Sequence, residues 1–243
     1  MTSIGSFDAG TNVKFMVHHG LYCKMIKNCG TEIHNDALMR GVKCQDLGCF
    51  ALTELGHGSN VQGIETTAHF DSITKGFVLH SPTTTSMKFW IGNLAKSCKM
   101  AVVFANLILP SGKNTGPHAF LVQVWDTIDH LPLPGIEIGD CGEKIGFPHI
   151  DNGWMKFNKF WIPKSSLLNK LADIDDNGNY TSPIKSKGKW FGMLIACLSG
   201  GWVNIAWITN DCSALALKIA IRYACSRWQF GSPEKLIIDY PLH

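Results

Sequence analysis

Short apolar runs, closely spaced and separated by glycine and proline, fill the middle of the chain between residues 48 and 162. The candidate strands are residues 49–52, 65–71, 76–80, 100–109 and 154–162. Strands of this length and spacing favour a barrel or sandwich over a parallel sheet. With 243 residues, 45% of them hydrophobic, the chain can bury the core of one or two domains.

Helical patterns flank this β-rich region. Residues 11–43 group their apolar side chains at helical spacing, and Gly30 is a plausible helix stop. The 21 residues 190–210 carry no charge and are long enough to cross a bilayer. Because Gly200 and Asn204 dilute the apolar run, we favour a helix buried in a bundle and a subunit interface, and we expect no membrane span. Without partner helices, its bare surface would promote instability or self-association.

The sequence Thr-Glu-Leu-Gly-His-Gly-Ser at residues 53–59 is the first of two segments that indicate a ligand site. Thr53 follows an apolar run and would deliver a hydroxyl from a strand. Gly56 and Gly58 predict a tight turn with positive φ angles that allows close approach of a bulky planar ligand. Ser59 adds a second hydroxyl. The glycines alone favour a simpler alternative, a polar β-turn between two strands.

The second segment, residues 88–93, makes a ligand site the better interpretation. Trp90 offers a large flat face, and Gly92 and Asn93 offer bare backbone and a side-chain amide. Neither segment carries a nucleophile, a metal-ligand set or a phosphate-binding helix pattern. The chemistry would therefore belong to a bound cofactor that the protein positions.

Two titratable residues lie within the first segment. His57 has the chemistry of a general acid or base, but a loop-packing or ligand-contact role is favoured for it. Glu54 lies beside Thr53, and in an extended segment its side chain points away from that of Thr53.

The sequence does not predict a metal site. Residues 173–178 imitate the opening of a calcium loop, but the twelfth position is Ile184 instead of glutamate, so a solvated turn is predicted. The nine cysteines show no Cys-x-x-Cys spacing and no Cys/His pairing typical of zinc. They favour a reducing compartment with free, mostly buried thiols.

Charge and termini say little about partners. The net charge of +3 and the absence of lysine and arginine runs argue against a nucleic-acid surface. The N-terminus has no basic segment followed by an apolar stretch, so no secretory signal is predicted. The last three residues, Pro-Leu-His, do not match the Ser-Lys-Leu type of peroxisomal address.

Together, residues 53–59 and 88–93 resemble the flavin cradle of the acyl-CoA oxidase and acyl-CoA dehydrogenase family, and the His-Ser-Pro run at 80–82 resembles the peroxisomal oxidases more. The resemblance covers the chain from about residue 10 to the end. Further matches in the same order are residues 65–71, 77–82, 116–123, 133–135, 151–153 and 227–231.

This resemblance implies an α+β fold of the acyl-CoA dehydrogenase type, in which a central β-barrel is flanked by helical segments and the C-terminal helical domain is incomplete. Residues 1–47 would be the end of an N-terminal helical domain, and residues 48–165 the barrel that binds FAD and acyl-CoA. Residues 166–187 would be a linker, and residues 188–243 the start of the C-terminal helical domain. The chain would thus correspond to a relative truncated at both ends.

The resemblance also implies roles for individual residues. Thr53 matches the threonine that hydrogen-bonds the flavin ring, and Ser59 matches the serine at the boundary of flavin and acyl-CoA, where it contacts both. Trp90 matches the tryptophan packed on the isoalloxazine. Gly92 stands where oxidases carry glycine and dehydrogenases usually carry threonine, which fits a site open to oxygen.

Near the C-terminus, Arg227 matches the arginine that reaches the FAD of a neighbouring subunit, and Gln229 and Phe230 would line the same interface. The resemblance thereby implies a homodimer. It places the family's base, a glutamate that removes the α-proton of the acyl-CoA, in the C-terminal helical domain beyond residue 243. No catalytic residue is therefore assigned within this chain.

Two functional hypotheses follow. The first is a peroxisomal, FAD-dependent acyl-CoA oxidase that converts a fatty acyl-CoA to the trans-2-enoyl-CoA and reduces oxygen to hydrogen peroxide in β-oxidation. The second is a catalytically incomplete fragment or isoform that acts only by binding or by pairing with a full-length subunit. Within the enzyme class, an acyl-CoA dehydrogenase is the alternative, against which Gly92 and residues 80–82 argue.

Overall fold

The computed structural model of the protein describes Gly5 and residues 7–241. Its N-terminal helical segment consists of α1 (Ala9–Phe15), a π-helical stretch (Met16–Cys23), α2 (Lys24–Cys29), a 3-10 turn (Glu32–His34) and α3 (Asn35–Val42). The Asp8 side chain caps α1 by accepting a hydrogen bond from the Gly10 backbone N–H at 2.9 Å. The predicted stop at Gly30 is confirmed, because α2 ends there in extended backbone.

The β-rich region forms nine strands that belong to two sheets. They are β1 (Gly48–Ala51), β2 (Thr67–Asp71), β3 (Gly76–His80), β4 (Lys88–Ile91), β5 (Met100–Ile108), β6 (Asn114–Gln123), β7 (Ile136–Asp140), β8 (Gly153–Phe157) and β9 (Phe160–Pro163). The larger sheet has the order β1-β5-β2-β3-β9, with β6 also paired to β5, and the smaller sheet has the order β4-β8-β7. Short 3-10 turns lie at Val61–Gly63 and Lys164–Ser166.

The larger sheet is mixed. Strand β5 pairs in parallel with both β1 and β2 and antiparallel with β6. The sequence favoured a barrel or sandwich over a parallel sheet, and this sheet is not a purely parallel one. Its two parallel pairings are possible because the connections from β1 and β2 to β5 are long enough for crossovers. Within residues 48–163 of the described chain, the strand hydrogen bonds form two separate sheets. A closed barrel thus stays a prediction.

Residues 154–162, which the sequence presents as one strand, form two. β8 pairs with β4 and β7 in the smaller sheet, whereas β9 pairs with β3 in the larger one. Lys159, between them, has a positive φ of 50°, which breaks the extended backbone. The pattern of apolar residues alone does not reveal this change of sheet.

The long apolar run of β5 is explained by burial on both faces. Val103 and Leu107 belong to the core between the sheets, whose aromatic side chains Phe77 and Phe120 meet edge to face with centroids 5.1 Å apart. The alternate residue Phe104 belongs to a second core under the N-terminal helices. Side chains alternate along a strand, so a strand covered on both sides is apolar throughout.

The C-terminal part begins with the hairpin of β10 (Asp173–Ile174) and β11 (Tyr180–Thr181). The turn between them is the predicted solvated turn, in which the Asp175 carboxylate accepts hydrogen bonds from the backbone N–H groups of Asn177 and Asn179. Then follow α4 (Lys187–Ile195), a 3-10 turn (Ala196–Leu198), α5 (Ser199–Ala224), the hairpin of β12 (Trp228–Gln229) and β13 (Lys235–Leu236), and a 3-10 turn (Ile237–Asp239).

Helix α5 has no buried residue among those described. Trp202, Ile205 and Trp207 are each more than half exposed, so the bare apolar surface anticipated from the sequence is present. Within the described residues, no single helix is long and apolar enough to cross a membrane, although α4 and α5 together, bent by 45° at their junction, would pass that test by length and composition.

Candidate functional site

An apolar cavity of about 860 Å³ opens between the N-terminal helices, the ends of β1 and β4, and the loop 143–150. Three of the predicted site residues, Thr53, Trp90 and Gly92, lie in its wall. Val17 and Ile150 close it from the helix and the loop. A cavity of this size, mainly apolar with a few polar groups, is typical of a cofactor site.

The Thr53 side chain is fixed by the neighbouring strand. Its hydroxyl donates a hydrogen bond of 2.9 Å to the Phe89 carbonyl, and the Phe89 N–H donates to the Thr53 carbonyl at 3.1 Å. Because the single hydroxyl proton is engaged, Thr53 presents only acceptor lone pairs to a ligand. It suits a ligand N–H group.

Trp90 owes its orientation to a break in β4. The pairing register with β8 shifts between Lys88 and Ile91, and Trp90 itself has a positive φ of 64°. Such a bulge changes the direction in which a side chain points. Trp90 is 53% exposed. The Asn152 side-chain amide donates a hydrogen bond of 3.1 Å to the Trp90 carbonyl, a support that the sequence showed only as part of a matching motif.

Gly92 forms a narrow part of the cavity wall. A Cβ atom there would lie 3.3 Å from side-chain carbons of both Val17 and Ile150, so glycine keeps this wall open. The side-chain amide of Asn93, predicted to face a ligand, instead donates a hydrogen bond of 3.1 Å to the Lys14 carbonyl. Asn93 is only 3% exposed. That part of the prediction is wrong, because the positive φ of Asn93 turns its side chain inward.

The glycine loop 53–59 also differs from expectation. Neither Gly56 nor Gly58 has a positive φ, so that prediction is wrong. A Cβ at Gly56 would lie 2.9 Å from the Thr85 Cβ, so the close approach is to another loop instead of a ligand. His57 packs within the loop, as favoured, with its Nε2 atom 3.0 Å from the Glu65 carboxylate.

Four predicted residues are not among those lining the cavity. Ser59 is exposed on the loop beyond Gly58. Arg227, Gln229 and Phe230 lie after α5, around strand β12, where the Tyr240 hydroxyl makes hydrogen bonds of 2.8 Å with the Gln229 and Phe230 carbonyls. Their predicted roles involve acyl-CoA or a second subunit and stay predictions.

Beneath Thr53 and Trp90 lies a buried ion pair that the sequence did not reveal. The Lys88 Nζ atom is 2.8 Å from the Glu54 carboxylate, and neither side chain is exposed. The carboxylate also accepts hydrogen bonds from the backbone N–H groups of Glu65 and Thr66. Burial lowers the pKa of Lys88, and the adjacent carboxylate opposes that shift.

One group of described residues, His18, His19 and Cys44, has ligand atoms close enough for a metal ion. The Nδ1 atom of His18 accepts a hydrogen bond from the Gly48 N–H at 3.0 Å, so its Nε2–H donates to the Gly41 carbonyl at 2.9 Å. Both ring nitrogens are thus engaged. Only two ligands remain, fewer than the three protein ligands of known zinc sites.

Comparison with known proteins identifies close relatives over almost the entire chain. No protein-family profile matches. The chain is 38% identical over 242 residues to human peroxisomal acyl-coenzyme A oxidase 3, which covers 98% of this chain and 35% of that protein. It is 42% identical over 249 residues to the peroxisomal acyl-coenzyme A oxidase 2 of Arabidopsis thaliana, covering 99% and 36%.

Solved structures agree. Acyl-CoA oxidase 3 of Yarrowia lipolytica superposes with a TM-score of 0.88 at 39% identity, covering 97% of this chain and 34% of that one. Acyl-CoA oxidase-2 of Caenorhabditis elegans, bound with FAD, ascaroside-CoA and ATP, has a TM-score of 0.85 at 35% identity, covering 93% and 34%. The chain spans about a third of the length of these relatives.

Proposed function

We propose that this chain, which is homologous to the peroxisomal acyl-CoA oxidases over nearly all of its length, provides the FAD- and acyl-CoA-binding part of such an oxidase. The reaction would remove one hydrogen from each of the α and β carbons of a fatty acyl-CoA. The products would be the trans-2-enoyl-CoA and, after transfer of both hydrogens to oxygen, hydrogen peroxide. FAD would supply the two-electron chemistry.

The single observation that carries this proposal is the convergence of Thr53, Trp90 and Gly92 on one apolar cavity. Thr53 and Trp90 are separated by more than thirty positions in the sequence, yet backbone hydrogen bonds place them side by side. The residues present fit a flavin ring. Trp90 offers an indole face, Thr53 a hydroxyl acceptor, and Gly92 a wall without a side chain, and the cavity has enough space for a planar group.

Each residue would act on the cofactor in a distinct way. Thr53 would accept a hydrogen bond from a ring N–H, since its own proton is held by Phe89. Trp90 would cover one face of the ring, and Gly92 would leave its edge accessible to oxygen, which favours an oxidase over a dehydrogenase. Ser59 would contact the flavin and the acyl-CoA.

The remaining parts of the proposal concern assembly and location. A homodimer would bring Arg227, Gln229 and Phe230 of one chain to the FAD of the other. The β-sheets would act as the central barrel of the oxidase fold. The relatives named peroxisomal support a peroxisomal site of action in fatty acid β-oxidation.

Binding of FAD by the purified chain tests the proposal first. We expect quenched flavin fluorescence on titration with FAD, and at least about tenfold weaker binding in Trp90→Ala and Thr53→Ala, because each removes a direct ring contact. Trp161→Phe is the matched control, because Trp161 is a half-exposed tryptophan on β9 outside the cavity. Absence of FAD binding by the wild-type chain would contradict the proposal.

Turnover separates the enzyme classes. With FAD and a long-chain acyl-CoA in air, an oxidase forms one hydrogen peroxide for each enoyl-CoA. A dehydrogenase needs an added electron acceptor. Anaerobic addition of the acyl-CoA reports the half-reaction through bleaching of the flavin absorption. Bound flavin that does not bleach would agree with a chain that provides only the binding part, whereas bleaching would show that the chain carries out the half-reaction itself.

A further inference from the structure

The buried pair of Glu54 and Lys88 joins the two segments that carry the cavity residues. Glu54 directly follows Thr53, and Lys88 lies two residues before Trp90. Their side chains meet at 2.8 Å with no exposed surface. The Lys88 Nζ also donates a hydrogen bond of 3.3 Å to the Leu52 carbonyl, its second acceptor.

Backbone hydrogen bonds surround this pair on both sides. The Phe89 N–H donates to the Thr53 carbonyl at 3.1 Å, and the Leu55 N–H donates to the Met87 carbonyl at 2.9 Å. Glu54 and Lys88 themselves form an isolated antiparallel bridge. The ion pair thus lies at the centre of a short antiparallel ladder. Trp90, at the bulge of β4, directly follows the end of this ladder at Phe89.

Stability alone does not account for a charged pair in this position. Well-packed apolar residues of similar volume often stabilise a protein as much as a buried ion pair does. A slip of one residue between two paired strands moves every side chain to the opposite face. Here a slip would separate Lys88 from the only carboxylate described beside it, so the pair penalises every register except one.

We infer that Glu54 and Lys88 are positioning residues of the proposed flavin cradle, which fix the register that places Thr53 and Trp90 against the same ring. This inference rests on the proposed function for the identity of the ligand. The relative position of Thr53 and Trp90 belongs to the protein itself and is measurable without FAD.

Fluorine NMR of the chain labelled with fluorotryptophan tests the inference. The Trp90 resonance is assigned by its loss in Trp90→Phe. The test variants are Lys88→Met and the charge-free pair Glu54→Gln/Lys88→Met, which avoids an unpaired buried charge if the single variant fails to fold. Ile162→Ala is the control, because Ile162 is buried in the core on β9 and lies outside the cavity wall.

In folded samples of both test variants we expect the Trp90 resonance to shift and broaden and the FAD dissociation constant to rise roughly tenfold. Ile162→Ala should lose as much thermal stability as the test variants but keep the wild-type Trp90 resonance and FAD dissociation constant. An unchanged Trp90 resonance in the charge-free pair would overturn the inference. If the wild-type chain binds no FAD, the proposed function fails, whereas the resonance still decides whether the ion pair positions Trp90.

Discussion

The Asn152 side-chain amide holds the backbone carbonyl of Trp90 at 3.1 Å. Asn152 precedes β8, and Trp90 lies at the bulge of β4, so this bond supports the backbone where the ladder between the two strands is irregular. A bulge leaves its extra residue outside the regular hydrogen bonding. The asparagine amide therefore replaces a missing ladder bond and restrains the tryptophan that lines the cavity.

Asn152→Leu should weaken FAD binding by roughly three- to tenfold and lower the free energy of unfolding by about 1 kcal/mol, because the hydrogen bond from the buried Asn152 amide to the Trp90 carbonyl is lost. Flavin fluorescence titration and urea unfolding measure the two effects. Asn106→Leu is the matched control, since Asn106 donates to the Ile64 carbonyl outside the cavity wall. Equal loss of FAD affinity in both variants would contradict a local role for Asn152.

Gly92→Ala should reduce FAD affinity by roughly fivefold, equivalent to about 1 kcal/mol. The added methyl group would lie 3.3 Å from Val17 and Ile150, so these side chains must move and narrow the cavity. Gly58→Ala is the control, because no atom lies within 4 Å of a Cβ at that position. Unchanged FAD affinity in Gly92→Ala would contradict the prediction, because it would show that Val17 and Ile150 move without narrowing the FAD site.

The free energy of unfolding should fall as the pH is lowered from 6.5 toward 4, in part because of His118. Burial lowers the pKa of this histidine from 6.5 to about 4, so the unfolded chain takes up a proton before the folded chain does. Stability is fully present above pH 6.5 and decreases until the folded histidine also protonates near pH 4, a loss of roughly 3 kcal/mol. Urea unfolding across this range measures it.

His118→Gln provides the comparison for this titration. The His118 ring lies between the Gly116 carbonyl and the Tyr180 hydroxyl, and glutamine offers a donor and an acceptor without a proton-binding nitrogen. The variant should be less stable at neutral pH but show a smaller dependence on pH between 6.5 and 4. Parallel curves for the two proteins would assign the dependence to other groups.

The exposed helix α5 should make the chain self-associate. Contiguous apolar surface of this kind is removed from water by contact with another molecule. Trp202→Lys combined with Ile205→Glu should therefore shift sedimentation velocity profiles toward the monomer. Ile73→Lys is the control, since Ile73 is 91% exposed in the turn between β2 and β3. Identical profiles for the wild type and the double variant would refute this expectation.

The sequence by itself determined the locally encoded features. It located the end of α2 at Gly30, the strand at residues 76–80 and the solvated turn after Asp173. It also selected Thr53, Trp90 and Gly92, which the structure brings into one cavity. These features depend on residue chemistry within a few positions, or on motifs whose order resembles a known family, so they are readable without coordinates.

Only the tertiary structure decided which distant groups meet. No local pattern indicated that Glu54 would pair with Lys88, that Asn93 would turn inward, or that one candidate strand would divide between two sheets at Lys159. Each of these depends on strand register and on positive φ angles set by contacts far away in the chain. A buried charge is tolerated only beside an oppositely charged partner. Glu54 and Lys88 come into contact only when the chain folds, so the sequence alone does not reveal the pair.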